Sequence, residues 1–235
     1  MSLRFRPRLV PTVAAAATIA LTLYLAQWQA GREQEKLALQ ALLEARMKMP
    51  QYALQAKDRD GETLKYRTVT AAGEYVAGKQ IYLDNKDFNG AVGFHVMTPL
   101  KLAGADVSVM VNRGWIARGR DYPNPPAAIP PAGTVEVIGM AVLPSRRFLE
   151  LSSANVQGSV WQNFTFDRAR AILGIDALPV VVLATQTAPG LVPVAEMPNA
   201  GAEKHRGYAF QWMALALAVL VVWIGVNFKM DKKQS

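Results

Sequence analysis

The sequence predicts an α+β membrane protein in which two transmembrane helices bracket a strand-dominated antiparallel β domain that opens with a helix. Two uncharged apolar runs, one near each end of the 235-residue chain, predict the spans. Between them, short runs rich in β-branched and aromatic residues are separated by turn residues, which is typical of strands. The five predicted parts are a cytoplasmic N-terminus (1–8), a first transmembrane helix (9–29), a periplasmic α+β domain (30–205), a second transmembrane helix (206–228) and a cytoplasmic tail (229–235).

The charge distribution favours a lipid bilayer over a nucleic acid as the partner of this chain. The formal net charge is +8, but residues 30–205 hold 19 basic and 17 acidic side chains. The excess positive charge therefore lies beside the two apolar runs, where basic residues keep their end of a span in the cytoplasm. The chain has no cysteine, which excludes disulfides and thiolate metal sites. We expect a multi-pass membrane protein with both termini in the cytoplasm.

The first apolar run extends from Leu9 to Trp28 and follows three arginines. A cleaved signal peptide is the alternative, with Ala14–Ala17 as its cleavage region. The run continues for about ten residues past those alanines, which is too long for a signal core, so we expect an uncleaved span. Small residues recur every four positions along the first span, and the second span offers small residues as well, which favours pairing of the two helices. These residues are Ala14, Thr18 and Thr22 in the first span and Ala214, Ala218 and Gly225 in the second.

The domain between the spans is predicted to begin with a helix that continues the first span outward and stops at Pro50. Asn89-Gly90 is a hairpin turn signal. Asp167 is predicted to cap a short helix that Gly174 closes. The sheet is expected to curl toward a barrel or a sandwich. The predicted strands are residues 66–71, 79–85, 91–98, 107–116, 134–143, 160–166 and 178–186, the last of them central.

Signatures of enzymes are scarce in this chain. It contains no GxSxG, phosphate-loop, GxGxxG or HExxH motif. The sequence from Asn85 to Gly90 resembles the start of a calcium loop, but Val96 stands where the bidentate glutamate belongs. His95 lies inside an apolar strand, where a hydrogen-bonded structural role is the simpler interpretation. A membrane-tethered hydrolase that uses carboxylates of the outer domain remains an alternative.

The second apolar run, Tyr208–Phe228, has 21 uncharged residues and ends at Lys229. At its other end His205, Tyr208 and Trp212 follow helical spacing and place an imidazole, a phenol and an indole on one face. An interfacial histidine bound to water or lipid needs no function. The functional interpretation is axial ligation of haem iron, for which a neutral imidazole is a usual ligand. Lys204 and Arg206 are suited to pair with haem propionates.

Four motifs in this order resemble the surfeit locus protein 1 family of cytochrome c oxidase assembly factors, in its bacterial form. The motifs are Gln27-Trp28-Gln29 through Arg32, Gly93–Leu100, Val111–Ile116 with its Asn-Arg-Gly-Trp core, and His205 through Tyr208-Ala209 to Trp212. The lead-in Glu203–Gly207 is more charged than the asparagine-rich version expected in the family. No transit peptide precedes the first span, so a bacterial inner membrane is expected rather than a mitochondrial one.

The resemblance implies a non-enzymatic haem chaperone of the respiratory chain. It implies that the protein receives haem a, with haem A synthase and oxidase subunit I as partners, and assists insertion into subunit I. His205 maps onto the family's proposed iron ligand, Tyr208 and Trp212 line the ring, and Arg206 pairs with a propionate. The alternative is a membrane-anchored scaffold that holds oxidase subunits and binds no cofactor. Arg113 and Trp115 have either a structural or a functional role.

Overall fold

The computed structural model describes residues 2–144, 156–194 and 202–231. The chain divides into two compact units. One unit combines Met1–Leu43 with Pro198–Ser235 and the other comprises Glu44–Met197. We call them the helical unit and the barrel unit, and each is described by itself.

The helical unit is built on two long helices. Helix α1 spans Leu9–Met47 and α4 spans Ala202–Asn227, and both are long and apolar enough to cross a membrane. Helix α1 confirms that the first apolar run continues into the predicted outer helix without a break. It ends three residues before Pro50, whose ring disfavours helical backbone in the residue before it.

The two ends of the chain pair with each other. Strand β1 (Ser2–Phe5) and strand β11 (Phe228–Asp231) form a two-stranded antiparallel sheet in which Ser2 faces Asp231. No strand was predicted in either segment, and Phe228 was assigned to the second predicted span, so this small sheet is an addition to the predicted fold. The pairing requires the N-terminus of α1 and the C-terminus of α4 to lie at the same end of the helical unit.

The barrel unit contains a closed sheet of five strands, in the order β3-β7-β10-β6-β5, which the pairing of β5 with β3 completes. Strand β5 is long enough to pair with β4 along its first half and with β3 at its end, so β4, β9 and β8 extend the sheet beyond the barrel. The strands of the unit are β2 (Tyr52–Ala53), β3 (Thr68–Tyr75), β4 (Ile81–Phe88), β5 (Ala91–Leu102), β6 (Ser108–Ala117), β7 (Thr134–Val142), β8 (Val156–Gln157), β9 (Val160–Trp161) and β10 (Ala177–Ala184).

The predicted antiparallel sheet is only partly correct. Strand β10 runs parallel to β6, and two short edge pairs, β2 with β3 and β4 with β9, are parallel as well. The predicted central position of the last strand is confirmed, because β10 lies between β7 and β6. Its successive side chains alternate between two buried clusters: Val180 and Val182 fill the barrel interior, whereas Val181 and Leu183 pack on its outer face.

Two short helices belong to this unit, α2 (Gly61–Leu64) and α3 (Phe166–Leu173). The N-cap of α3 is Thr165, whose hydroxyl accepts a hydrogen bond from the Arg168 N–H, so the prediction of Asp167 as the cap is wrong by two residues. Asp167 instead lies in the first turn, where its carboxylate interacts favourably with the positive end of the helix dipole. Gly174 closes α3 in the left-handed conformation, as predicted. Strand β9 is shorter than the predicted strand because α3 begins at Phe166.

The Asn89-Gly90 turn is confirmed as the hairpin between β4 and β5. Both residues have positive φ, 52° and 81°, as a two-residue type I′ turn requires. Phe88 faces Ala91 directly across the turn. The proline-dense segment between β6 and β7 contains no helix or strand, which agrees with its sequence.

Candidate functional site

The two long helices pack antiparallel along a regular line of less exposed residues, which we call the seam. On each helix these residues recur at alternating steps of three and four, the spacing of a coiled-coil interface. The seam consists of Thr12, Ala15, Ile19, Thr22, Ala26, Gln29 and Glu33 on α1, and of Ala202, His205, Ala209, Trp212, Ala216, Val219 and Trp223 on α4.

The centre of the seam is made by small residues. Thr22 and Ala26 on α1 and Ala209 and Ala216 on α4 are each less than a tenth exposed. Their burial, together with the contacts of Gln29 with His205 and of Thr12 with Trp223, shows that the two helices lie against each other. The predicted pairing of the helices is therefore confirmed, but only Thr22 of the predicted stripes takes part in it. The other five predicted residues are exposed: Ala14, Thr18, Ala214, Ala218 and Gly225.

A polar contact joins the helices at each end of the seam. At one end the Trp223 indole donates a hydrogen bond of 3.1 Å to the Thr12 hydroxyl. At the other end His205 Nδ1 lies 2.7 Å from Gln29 Oε1. An amide oxygen only accepts hydrogen bonds, so in this contact the imidazole carries its hydrogen on Nδ1. In the neutral ring, Nε2 then holds the free lone pair.

The structure separates the three aromatic residues that sequence spacing had placed on one face. His205 and Trp212 are half-buried at seam positions. Tyr208 is 53% exposed and points away from the seam. On α1, Trp28 is 47% exposed, one residue before Gln29. The imidazole therefore lies between the helices. An exposed aromatic side chain stands close to it in sequence on α4, Tyr208, and another stands beside Gln29 on α1, Trp28.

The charged residues around His205 belong to the same end of the seam. Arg206 Nε lies 3.9 Å from a carboxylate oxygen of Glu33, which is largely covered, whereas the Arg206 side chain is 68% exposed. This long, solvent-exposed pair contributes little to stability and leaves the guanidinium accessible. Lys204 is exposed on the neighbouring turn. The end of α4 that carries the imidazole thus also carries two accessible cations.

In the barrel unit, two of the sequence motifs meet on neighbouring strands. The Trp115 indole crosses over Gly93 and donates a hydrogen bond of 2.8 Å to the Lys86 carbonyl, so it ties β6 to β4 across β5. A side chain at position 93 would meet this ring, since an added Cβ would lie 2.5 Å from Trp115 Cε2. Trp115 is 6% exposed and packs against Phe88. Its observed contacts are those of a structural residue.

Arg113 holds the proline-dense segment against the barrel. Its guanidinium is 4% exposed and donates hydrogen bonds to Gln80 Oε1 and to the carbonyls of Ala128 and Ile129. It also lies over the Tyr75 ring, 5.3 Å from the centroid. Burial lowers the pKa of Arg113. Within the described ranges its hydrogen bonds go to neutral acceptors, and these contacts are structural as well.

His95, the other histidine, lies far from His205 in sequence and on a different unit. Its imidazole lines a cavity of about 260 Å³ with Lys86, Met97, Asn112 and Phe164. Burial, with a smaller contribution from the Lys86 ammonium, lowers the pKa of His95 to about 4. The expected hydrogen bond of this ring is not formed with any residue that the structure describes. Within the described part of the chain, packing rather than a polar partner holds it in place.

The described part of the chain contains no cluster of three or more His, Asp or Glu side chains that is suited to bind a metal ion. A metal carried by a macrocycle is a different case, because the macrocycle supplies most of the ligands and the protein needs to add one. Gln29 is the residue of this site that sequence analysis missed. The Gln27-Trp28-Gln29 motif marked the segment, but its partner on α4 is 176 positions away.

Comparison with known proteins places most of the chain in one family. The family model described as the SURF1 family matches residues 16–217. A SURF1-like protein of Monosiga brevicollis is 25% identical over 89% of this chain and 84% of its own length. Surfeit locus protein 1 of Rattus norvegicus is 24% identical over 85% of this chain and 70% of its own. A SURF1-like protein of the bacterium Rickettsia bellii is 24% identical, covering 88% and 86%.

Proposed function

Because the chain belongs to the SURF1 family, we propose that it is an assembly factor for haem-copper (cytochrome c) oxidase. In this proposal it acts without catalysing a reaction. It receives haem a, with haem A synthase as the source, and assists insertion of the haem into oxidase subunit I. The helical unit spans the bacterial inner membrane, both termini are cytoplasmic and the barrel unit is periplasmic.

The observation that carries the proposal is the position of His205. Its ring lies at the end of a long apolar helix, is half-buried between α4 and α1, and among the described residues is engaged through one nitrogen, by Gln29. A single imidazole nitrogen suits a carrier, because one axial bond holds a haem iron less firmly than two and permits release.

The surrounding residues fit a haem by their chemistry. The apolar faces of the macrocycle need cover from water, which the exposed Trp28 and Tyr208 and the half-buried Trp212 are suited to provide. The propionates need cations, and Arg206 and Lys204 are accessible on the same end of α4. His205 would hold the iron of a bound haem through its imidazole. The other residues orient the ring and exclude water.

The topology of the helical unit supports the proposed orientation. Strands β1 and β11 pair, so both termini lie at one end of the helices, and His205 lies toward the other. The basic residues near the two termini favour the cytoplasm for that first end. His205 would then face the periplasmic side of the membrane.

The decisive experiment compares the two histidines of the chain. The full-length protein is purified in detergent from cells that produce haem a, and its Soret absorbance per protein is measured for the wild type, His205→Ala and His95→Gln. We expect His205→Ala to lose the haem and His95→Gln to keep it. Full stoichiometry in His205→Ala would refute the ligand assignment.

A protein that carries no haem in any form would favour the alternative, a scaffold for oxidase subunits. The role in oxidase assembly is tested separately in a strain that lacks this gene. Wild-type protein is expected to restore haem a content in subunit I, and His205→Ala is expected to fail although it inserts in the membrane. Normal haem a content in the gene-deleted strain would contradict the role.

A further inference from the structure

The contact between Gln29 and His205 bears on which nitrogen of the imidazole is available to a ligand. We propose that Gln29 is a positioning residue that fixes His205 as the Nδ1–H tautomer and so presents Nε2 as the ligand atom; this inference rests on the proposed function. In metal sites the second ring nitrogen of a ligating histidine usually donates to a carbonyl, carboxylate or water. Gln29 Oε1, at 2.7 Å, takes that role in advance.

The seam makes Gln29 a precise partner. It occupies the last but one seam position of α1, and both residues of the pair are half-buried on regular helices. A site on helices holds an orientation more closely than a site on loops does. The next seam residue, Glu33, is largely covered and has a carboxylate oxygen 3.9 Å from Arg206 Nε.

The amide at position 29 is chemically suited to this task. It accepts the hydrogen from Nδ1 without bringing a negative charge to a half-buried position. A leucine of similar size would remove the acceptor and leave the imidazole free to carry its hydrogen on either nitrogen. An Nε2–H ring has no lone pair to give at the atom that faces away from Gln29. The amide therefore selects which of two neutral forms awaits the iron.

Gln27 supplies a matched control in the same turn of α1. It is the same residue type, two positions earlier, but it is exposed and outside the seam. Gln27→Leu changes the polarity of the span end as much as Gln29→Leu does and leaves the imidazole contact intact. Gln29→Glu is the conservative variant, because a carboxylate oxygen also accepts the Nδ1 hydrogen.

The tautomer is read directly, without haem. The full-length protein in nanodiscs is labelled with ¹⁵N-histidine, and the protonated ring nitrogen is identified from its coupling and chemical shift. The chain has only two histidines, so His95→Gln assigns the signals. We expect wild type, Gln27→Leu and Gln29→Glu to show His205 protonated on Nδ1, and Gln29→Leu to lose that form. An Nε2–H ring in the wild type, or an unchanged Nδ1–H ring in Gln29→Leu, would overturn the proposal.

Haem affinity is then measured by titrating haem a into the same proteins and following the Soret band. We expect Gln29→Leu to weaken binding by about 10-fold or more, the usual effect of losing such a partner, with Gln27→Leu unchanged. Unchanged affinity in Gln29→Leu together with loss of binding in His205→Ala refutes the role of Gln29 and leaves the proposed function standing. Unchanged affinity in His205→Ala refutes the ligand assignment, and the inference falls with it.

Discussion

At the scale of single residues, two basic side chains of the barrel unit, the buried Arg113 and the partly buried His95, differ in how the fold accommodates them. Arg113 stays charged and spreads its hydrogen bonds over Gln80 and two carbonyls. His95 hydrogen-bonds to none of the described residues, and burial, with a smaller contribution from Lys86, lowers its pKa to about 4, so the ring is neutral near pH 7. The hydrogen bonds of Arg113 support a buried charge, whereas His95 is accommodated without one.

The neutral His95 predicts a pH dependence of stability. The pKa of this ring is about 4 in the folded protein and about 6.5 in the unfolded chain. As pH falls below 6.5 the unfolded chain binds the proton first, so stability is lost between pH 6.5 and 4 and is fully present above that window. The loss is on the order of 3 kcal/mol, at 1.36 kcal/mol per pKa unit.

Urea unfolding of the full-length protein at several pH values measures this loss, and a ¹H NMR titration of the His95 ring gives the folded pKa. His95→Gln is expected to lack the drop, because it has no proton to take up, whereas His205→Gln retains it. A folded His95 that titrates near pH 6.5 would contradict the expectation.

At the scale of elements, the crossing of Trp115 over Gly93 binds three strands together. The indole starts on β6, passes over β5 at its glycine and hydrogen-bonds to the backbone of β4. A glycine in a strand interior weakens the strand by itself, and its presence marks a close approach by another group. The two sequence motifs that contain these residues are therefore in direct contact in the fold.

Gly93→Ala is expected to destabilise the barrel unit by about 3 kcal/mol, because the new Cβ would lie 2.2 Å from the Ile116 carbonyl oxygen and would force the strands apart. Thermal unfolding measures the change. The matched control is Gly119→Ala, whose Cβ would meet nothing closer than Pro126 Cγ at 3.5 Å. Equal melting temperatures of the two variants would show that the close packing of β6 against position 93 does not contribute to stability.

Local signals in the sequence predicted local structure well. The Asn89-Gly90 turn and the Gly174 helix end follow from backbone conformations that few residues adopt, so the letters alone identify them. The cap at Thr165 was missed because Asp167 is an equally good capping residue two positions later. Barrel closure and the parallel pairing of β10 with β6 join segments that are distant in sequence, and no local pattern encodes them.

In the candidate site, too, some features followed from local sequence and others did not. Helical spacing identified His205 at the end of the second span, and the structure places it where α4 meets α1. Spacing also placed Tyr208 beside it, but the seam follows a repeat of seven, and this puts Trp212 inward and Tyr208 outward. The sequence could not show which of the two glutamines, Gln27 or Gln29, contacts His205, because that depends on how the two helices align with each other.

At the scale of the whole molecule, the barrel unit contains its own hydrophobic core. Three buried clusters fill it, and all their members lie between Tyr52 and Leu191. The barrel closes entirely within this unit, through the pairing of β3 with β5. A unit with a complete core and a closed sheet has the requirements of an independently folding domain.

A fragment comprising residues 44–197 is therefore expected to fold without the long helices. It should give a β-rich far-UV circular dichroism spectrum and a single cooperative thermal transition. A shorter fragment, 44–176, lacks β10 and is expected to remain unfolded, because β10 is the strand that joins β7 to β6. A fragment 44–197 without a cooperative transition would show that the barrel depends on the helices.

The small sheet of β1 and β11 pairs residues 2–5 with residues 228–231. Strand β1 is therefore synthesised long before its partner, with α1, the barrel unit and α4 made between them. During synthesis β1 has to wait unpaired until β11 has been translated. The pairing of these two strands is consequently a late event, and a protein truncated before Phe228 loses it altogether.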